Sequence, residues 1–434
     1  MVRVITMLSR YILTILCALF AYTSFVSIND KEKSKKALFV LQKIIMYMIH
    51  FVLLGVIYVN TNDIKIIIFY IFQVAYFILY DIILKAIYKK INVPLLNLMF
   101  FMLMIGFSML LRISYNKAVK QFVICVVASI ITGVIPYIIS KSKKIRSMSY
   151  IFGVFGIGAL SLVLVIGKET LGAKLSLDLH FIAIQPSEFV KITFVIFLSG
   201  ILFRYRNFRG VVISGIFAAI HVIILVVSKD LGTALILCIT YLFLVYMSTG
   251  NKWYLFGGLI LGSGASVVAY KLFSHVKVRV EAWYNPWPII DGKGYQITQS
   301  LFAIGTGGLF GSGLYQGLPS NIPVVEQDFI ISAFAEELGT FFAISVISIS
   351  LCIFMICIKI AMNCQDSFYK LTVAALAVSY GFQVFLTVGS AIKLIPSTGV
   401  TYPLLSYGGS SLLATICVFA IIQGVYINEN ADNK

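Results

Sequence analysis

The chain has 434 residues, 60% hydrophobic and 12% charged, and its 34 Lys and Arg against 17 Asp and Glu give a net charge of +17. Soluble domains are roughly 45–50% apolar and about 25% charged, so this composition excludes a soluble globular protein and requires a polytopic membrane protein. Nucleic acid is excluded as a partner, because the basic residues fall in short clusters between apolar runs, as membrane topology demands.

The first apolar run, Tyr11 to Ile28, has no small-residue cleavage pattern and further apolar runs follow at once, so it reads as a retained span. A helix needs about 20 apolar residues to cross the hydrocarbon core. On that measure about thirteen spans are predicted: 9–28, 38–59, 64–88, 95–112, 119–140, 149–167, 187–203, 210–228, 231–249, 253–272, 328–360, 371–392 and 402–426. Basic clusters mark every second loop. Lys31, Lys33, Lys35 and Lys36 follow the first span, and Lys85, Lys89 and Lys90 close the third. Lys141, Lys143, Lys144 and Arg146 follow the fifth, and Arg204, Arg206 and Arg209 follow the seventh. Those loops belong in the cytoplasm. The N-terminus and the long segment 273–327 are then outside and the C-terminus inside; Arg3 and Arg10, in the outer tail, run against the rule. A connection of about 55 residues among otherwise short loops is usually functional.

An ionisable residue within a span is costly and marks a functional site by default. In "IQPSEFVKITF" (184–194), Glu188 and Lys191 share a helix face at i,i+3, behind Pro186 in the first turn. They read either as an internal ion pair or as the wall of a polar cavity for a charged headgroup. Asp230 in "SKDLGTALI" stands at the outer mouth of a span, where capping alone would account for it. In "EQDFIISAFAEELGTFF", Asp328 reads as a helix start, with Glu336 and Glu337 two to three turns further in, which suggests a lined cavity. In "IPSTGVTYPLLSYGGSSLLA", Pro396, Gly399 and Pro403 break the helix before Ser406 and Ser410, suited to close packing or to substrate contact.

No P-loop, HExxH or GxSxG motif is present, and His50, His180, His221 and His275 are scattered. The seven cysteines have no CxxC spacing and mark neither disulfides nor a metal site. The outer segment contains "NPWPIIDGKGYQITQS" (285–300), whose Asp291 is one of few carboxylates there, with Glu281 and Glu326. A loop carboxylate is either a base or solvated decoration.

Five stretches in order, "QPSEFVKITFVIFLS", "DLGTALI", "RVEAWYNPW…GYQITQSLFAIGTGGLFGSGL", "DFIISAFAEELG" and "PSTGVTYPLLSYGGSS", resemble the SEDS proteins of shape, elongation, division and sporulation. The resemblance covers residues 95 to 426 or so and implies an all-α polytopic membrane protein with a ten-helix core in 91–434. Residues 1–90 then form an N-terminal extension of about three extra transmembrane helices, and 273–327 is the large extracytoplasmic loop. It implies an inverting peptidoglycan glycosyltransferase that polymerises lipid II, works with a class B penicillin-binding transpeptidase, and can use a divalent cation, magnesium or manganese. It also implies an aspartate of the outer loop as the base for the acceptor 4-hydroxyl, for which Asp291 is the candidate. Glu188 and Lys191 match the family's polar pair. Arg279, Lys277 and Lys393, at the outer surface, are placed to meet pyrophosphate.

The family's acid normally stands four residues after the asparagine, where this chain has Ile289; Asp291 stands six after Asn285 and precedes two glycines that would allow a shifted loop. Ser176 replaces the usual Trp after Gly-Ala-Lys, and Lys229 the usual Pro before Asp230. A lipid II flippase, with Glu188, Lys191, Glu336 and Glu337 lining its path, and a catalytically impaired scaffold are the alternatives.

Overall fold

A computed structural model describes residues 2–29, 32–141, 145–170, 173–178 and 183–432; Lys31, Lys143, Lys144 and His180 lie outside the described residues. Apolar runs of this length can satisfy their backbone in a bilayer only as helices, and thirteen helices among the described residues are long and apolar enough to cross. The extension supplies α1 (Val2–Asn29), α2 (Glu32–Thr61) and α3 (Ile64–Ile87). There follow α4 (Val93–Ile113), α5 (Tyr115–Thr132), α6 (Ile135–Lys141) and α7 (Ser149–Ile166), then three short strands. α8 (Pro186–Arg204), α9 (Phe208–Val227), α10 (Leu231–Thr249) and α11 (Lys252–Leu272) lead into the long outer segment. That segment carries α12 (Ser274–Tyr284) and α13 (Tyr295–Gly307), and the chain ends in α14 (Ile330–Leu338), α15 (Thr340–Asn363), α16 (Ser367–Ala391) and α17 (Gly409–Asp432). We call the end of the bundle that carries 273–329 and the start of α1 the outer end, after the charge pattern.

The thirteen predicted spans correspond one to one with these crossings, with local differences. The predicted span 119–140 is the pair α5 and α6, parted near Gly133. The run 328–360 is two helices, because Gly339 adopts φ +94°, a conformation that turns the chain and that L side chains avoid. The span predicted from 402 begins at Gly409; prolines at 396 and 403 leave the preceding segment without regular structure. A small antiparallel sheet, β1 (Lys168–Thr170), β2 (Ala173–Asp178) and β3 (Ala183–Ile184), adds to the helical fold between α7 and α8. Lys168 pairs with Ser176, and Leu177 with Ile184.

One continuous apolar core runs through the extension and the rest of the bundle. α4 is apolar on every side and is buried almost throughout, because α2 covers a face that would otherwise meet lipid. α1 lies along both α2 and α15. Phe20 of α1 stacks on Phe101 of α4 with ring centroids 4.1 Å apart. Asn97 Nδ2 donates to Gln42 Oε1 at 3.2 Å, and Gln42 Nε2 donates to Thr23 O at 3.2 Å, so polar side chains pair across the seam. α11 is the opposite case: it has no buried residue and packs mainly on α10 and α12.

Candidate functional site

Residues 273–329 fold over the outer end of the bundle. α12 stops at Tyr284 because Pro286 and Pro288 follow, and residues 287–289 form one tight 3-10 turn. The Ile289 carbonyl accepts from Gly292 N at 3.1 Å and Gly294 N at 2.9 Å, which closes the turn. Asp291 sits at its tip, exposed, while Ile289 is half-buried beneath it.

α12, residues 292–297, residues 323–329 and residues 395–399 enclose a cavity of about 490 Å³. Its charged wall is Arg279, Lys293 and Asp328. Two bonds tie α12 to the opposite rim: Arg279 Nη1 donates to Ser397 O at 3.1 Å, and Trp283 Nε1 donates to Lys393 O at 3.1 Å. The rim reaches α10 because residue 232 is glycine. A Cβ there would stand 2.1 Å from Val400 Cγ2 and 3.0 Å from Thr398 O.

Arg279 is the electrostatic centre. Its Nη2 and Asp328 Oδ2 lie 3.6 and 3.9 Å from the point a Cβ on Gly399 would occupy. Burial lowers the Arg279 pKa, and the charges of Asp328 and Asp230 oppose that shift. Burial raises the Asp328 carboxyl to about 6 in spite of Arg279. Asp230 caps α10, accepting from Thr233 N at 3.1 Å through Oδ1, and takes a second bond from Ser187 Oγ at 2.8 Å. Capping accounts for its position, and its charge reaches Arg279.

Glu188 and Lys191 pair at 2.8 Å. Lys191 Nζ also donates to Gln383 Oε1 at 2.7 Å, whose Nε2 donates to Thr401 O at 3.0 Å. The free space beside them is about 20 Å³, room for about one water and no headgroup. Glu336 and Glu337 are not among the residues that line this space. Glu337 Oε1 accepts from Arg112 Nη2 at 2.8 Å and from Tyr315 N at 3.1 Å. Glu336 Oε1 accepts from Leu318 N at 2.8 Å. Glu337 ties α14 and the outer segment to α4, and Glu336 ties the outer segment to α14. Ser406 Oγ accepts from Tyr402 N at 3.0 Å and donates to Gln327 O, while Ser410 Oγ accepts from Gln185 N at 3.0 Å. Ser406 secures the backbone of Gln327 in the cavity wall, Ser410 ties the start of α8 to α17, and neither serine lines the cavity.

Of the basic residues expected at the surface, Arg279 lines the cavity, Lys393 offers its carbonyl to the rim, and Lys277 stays exposed beside Glu281 at 4.0 Å. Lys293, between Gly292 and Gly294 and two residues after Asp291, also lines the cavity, and no sequence signal separates it from a solvated lysine. The donor set does not make a ready cation site. Among the described residues no three His, Cys, Asp or Glu side chains cluster for a metal, and the cavity's lining acid, Asp328, faces Arg279.

The model of the FtsW/RodA/SpoVE cell cycle proteins matches residues 90–431, leaving α1 to α3 outside the match. The chain is similar to the peptidoglycan glycosyltransferase RodA of Mycobacterium tuberculosis, with 37% identity over 302 residues, or 65% of this chain and 64% of that protein. The RodA of Mycobacterium leprae is 34% identical over 327 residues, covering 72% of this chain and 70% of the relative. Among solved structures, a chain from a peptidoglycan synthase complex matches with a TM-score of 0.66 and 22% identity, over 78% of this chain and 98% of that one. The crystal structure of Thermus thermophilus RodA matches with a TM-score of 0.58 and 23% identity, over 77% of this chain and 96% of that one.

Proposed function

The chain belongs to the FtsW/RodA/SpoVE family, and from that premise we propose that it is a peptidoglycan glycosyltransferase polymerising lipid II at the outer end of the bundle. The observation that carries the reading is the cavity of about 490 Å³ with Arg279 and Lys293 on its wall, and the exposed Asp291 directly precedes Gly292 of its lining. The names of the relatives add support.

The donor sugar's anomeric carbon loses its bond to the pyrophosphate as the acceptor 4-oxygen attacks from the opposite face, which inverts the centre. The acceptor hydroxyl proton passes to the Asp291 carboxylate, and the undecaprenyl pyrophosphate leaves carrying the electron pair. An exposed carboxylate with room around it suits a base that must reach two sugars in turn. Arg279 and Lys293 oppose the charge that develops on the pyrophosphate. Asp328 and Asp230 hold the guanidinium in place, and Lys293 supplies a second cation on the same wall. The chain's own residues supply these roles, and no step is routed through a metal. A class B penicillin-binding transpeptidase is the partner that would crosslink the product, in keeping with the synthase complex among the structural matches.

The test is lipid II polymerisation by the purified chain in bilayers, alone and with such a transpeptidase. The intact chain forms polymer, and Asp291→Asn lowers turnover by about 10²–10⁴-fold while it still folds and binds lipid II. Polymer unaffected by the substitution overturns the role of Asp291. Absence of polymer from the intact complex overturns the reaction.

A further inference from the structure

Arg10 is a basic residue at the outer end of α1, against the topological rule, and none of the roles above uses it. It stands about 12 Å along the helix from Val2 at 1.5 Å per residue, beside the turn that joins α13 to the segment leading to α14. Arg10 Nη1 donates to Gly311 O at 2.6 Å, and its guanidinium lies 4.7 Å over the Tyr11 ring. Tyr11 in turn packs on Phe310, with ring centroids 5.3 Å apart. One turn further, Thr14 Oγ1 reaches Leu338 O, the last residue of α14, at 3.4 Å. Asn60 of α2 braces α1 from behind, donating to Thr6 Oγ1 at 3.1 Å.

The gripped turn is rigidly joined to both helices. Ser312 N donates to Glu336 O and Gly313 N to Glu337 O, each at 2.9 Å, and Thr340 N donates to Gly308 O at 2.9 Å. α13 leads from this turn back to Tyr295, Gln296 and Ile297 in the cavity wall, and Asp328 and Phe329 precede α14 on the same wall. A hydrogen bond from a guanidinium to one carbonyl is therefore placed where a small movement changes the shape of the cavity.

We propose that the three-helix extension is a built-in clamp on the outer cavity, with Arg10 as its positioning residue. Arg10 holds the Gly308–Gly313 turn, the turn sets α13 against α14, and the two helices set the wall that faces the substrate. The consequence for catalysis rests on the polymerase reading; the clamp itself does not. The extension lies outside the family match, so this control is particular to chains that carry it.

The experiment compares the full chain with Arg10→Ala and Arg10→Lys in nanodiscs, reading amide hydrogen exchange and lipid II turnover together. Arg10→Ala speeds exchange across residues 295–313 by about tenfold or more, with residues 228–234 unchanged as the internal reference. It lowers kcat about tenfold with little change in KM, as expected for misplaced rather than missing contacts. Arg10→Lys, which keeps a donor, recovers most of both. Unchanged exchange at 295–313 in Arg10→Ala overturns the clamp, and faster exchange with unchanged turnover overturns the positioning role. If the unaltered chain makes no polymer, the polymerase reading falls and the exchange result alone decides the clamp.

Discussion

Glu188 and Lys191 face each other at 2.8 Å beside a space of about 20 Å³, whereas Arg279 and Asp328 line the wall of a cavity of about 490 Å³ and influence each other through charge without a direct ion pair. Both sets lie near the outer end; from sequence Glu188 and Lys191 read as an ion pair or a headgroup cavity, Arg279 as a residue placed to meet pyrophosphate and Asp328 as a helix start. The difference lies in what surrounds them. The inner pair is closed off by Gln383 and satisfies its own charge. The outer residues are joined by Lys293 and have open volume in front of them, so two cationic side chains face space that an anion could enter. Charged residues in a membrane bundle thus mark a site only where open space accompanies them.

Four substitutions would break or sharpen that contrast. The largest effect on stability falls on the inner pair: Lys191→Ala leaves the Glu188 carboxylate buried without a counter-charge and costs about 3–5 kcal/mol. Thermal unfolding in detergent reads this, and the double change Glu188→Gln with Lys191→Met recovers most of the loss. Next, if Arg279 meets the pyrophosphate as proposed, Arg279→Gln weakens binding of inorganic pyrophosphate by about 10–100-fold, or about 1.5–3 kcal/mol. Calorimetric titration of the purified chain measures it, and equal loss on Lys191→Gln would erase the distinction between the two regions.

The third concerns pH. Burial raises the Asp328 carboxyl in the folded chain to about 6, above its ordinary value of 3.8. The folded state therefore holds this proton more tightly than the unfolded one, and stability falls as pH rises from about 4 to about 6, then levels. Allowing for the partial exposure of the group, the fall is about 1–2 kcal/mol. Asp328→Asn should flatten that slope in unfolding curves taken across the range. The smallest effect is at Ser410, where loss of the bond from Gln185 N in Ser410→Ala should lower stability by about 1 kcal/mol and leave pyrophosphate binding unchanged.

The spans and their order were legible because hydropathy alone decides which segments can cross a bilayer. The break at Gly339 was not, since an apolar run looks continuous whether or not one glycine turns it. Glu336 and Glu337 were read as cavity walls because sequence gives their depth but not their partners. Those partners are Arg112 and the amides of Tyr315 and Leu318, brought in from distant parts of the chain. The five motifs gave the family and pointed to Arg279 and Asp328. They could not give the role of Arg10, whose acceptor is a backbone carbonyl 301 positions away. Lys293 was visible in the quoted loop, but nothing in the sequence distinguishes a cavity lysine from a solvated one.

The most direct measurement is photocrosslinking of radiolabelled lipid II to the chain with a photoreactive residue at Gln296, in the outer cavity, or at Ser379, beside Glu188 and Lys191. The account predicts strong labelling from position 296, competed by inorganic pyrophosphate, and none above background from 379. Labelling from 379 with none from 296 would contradict it.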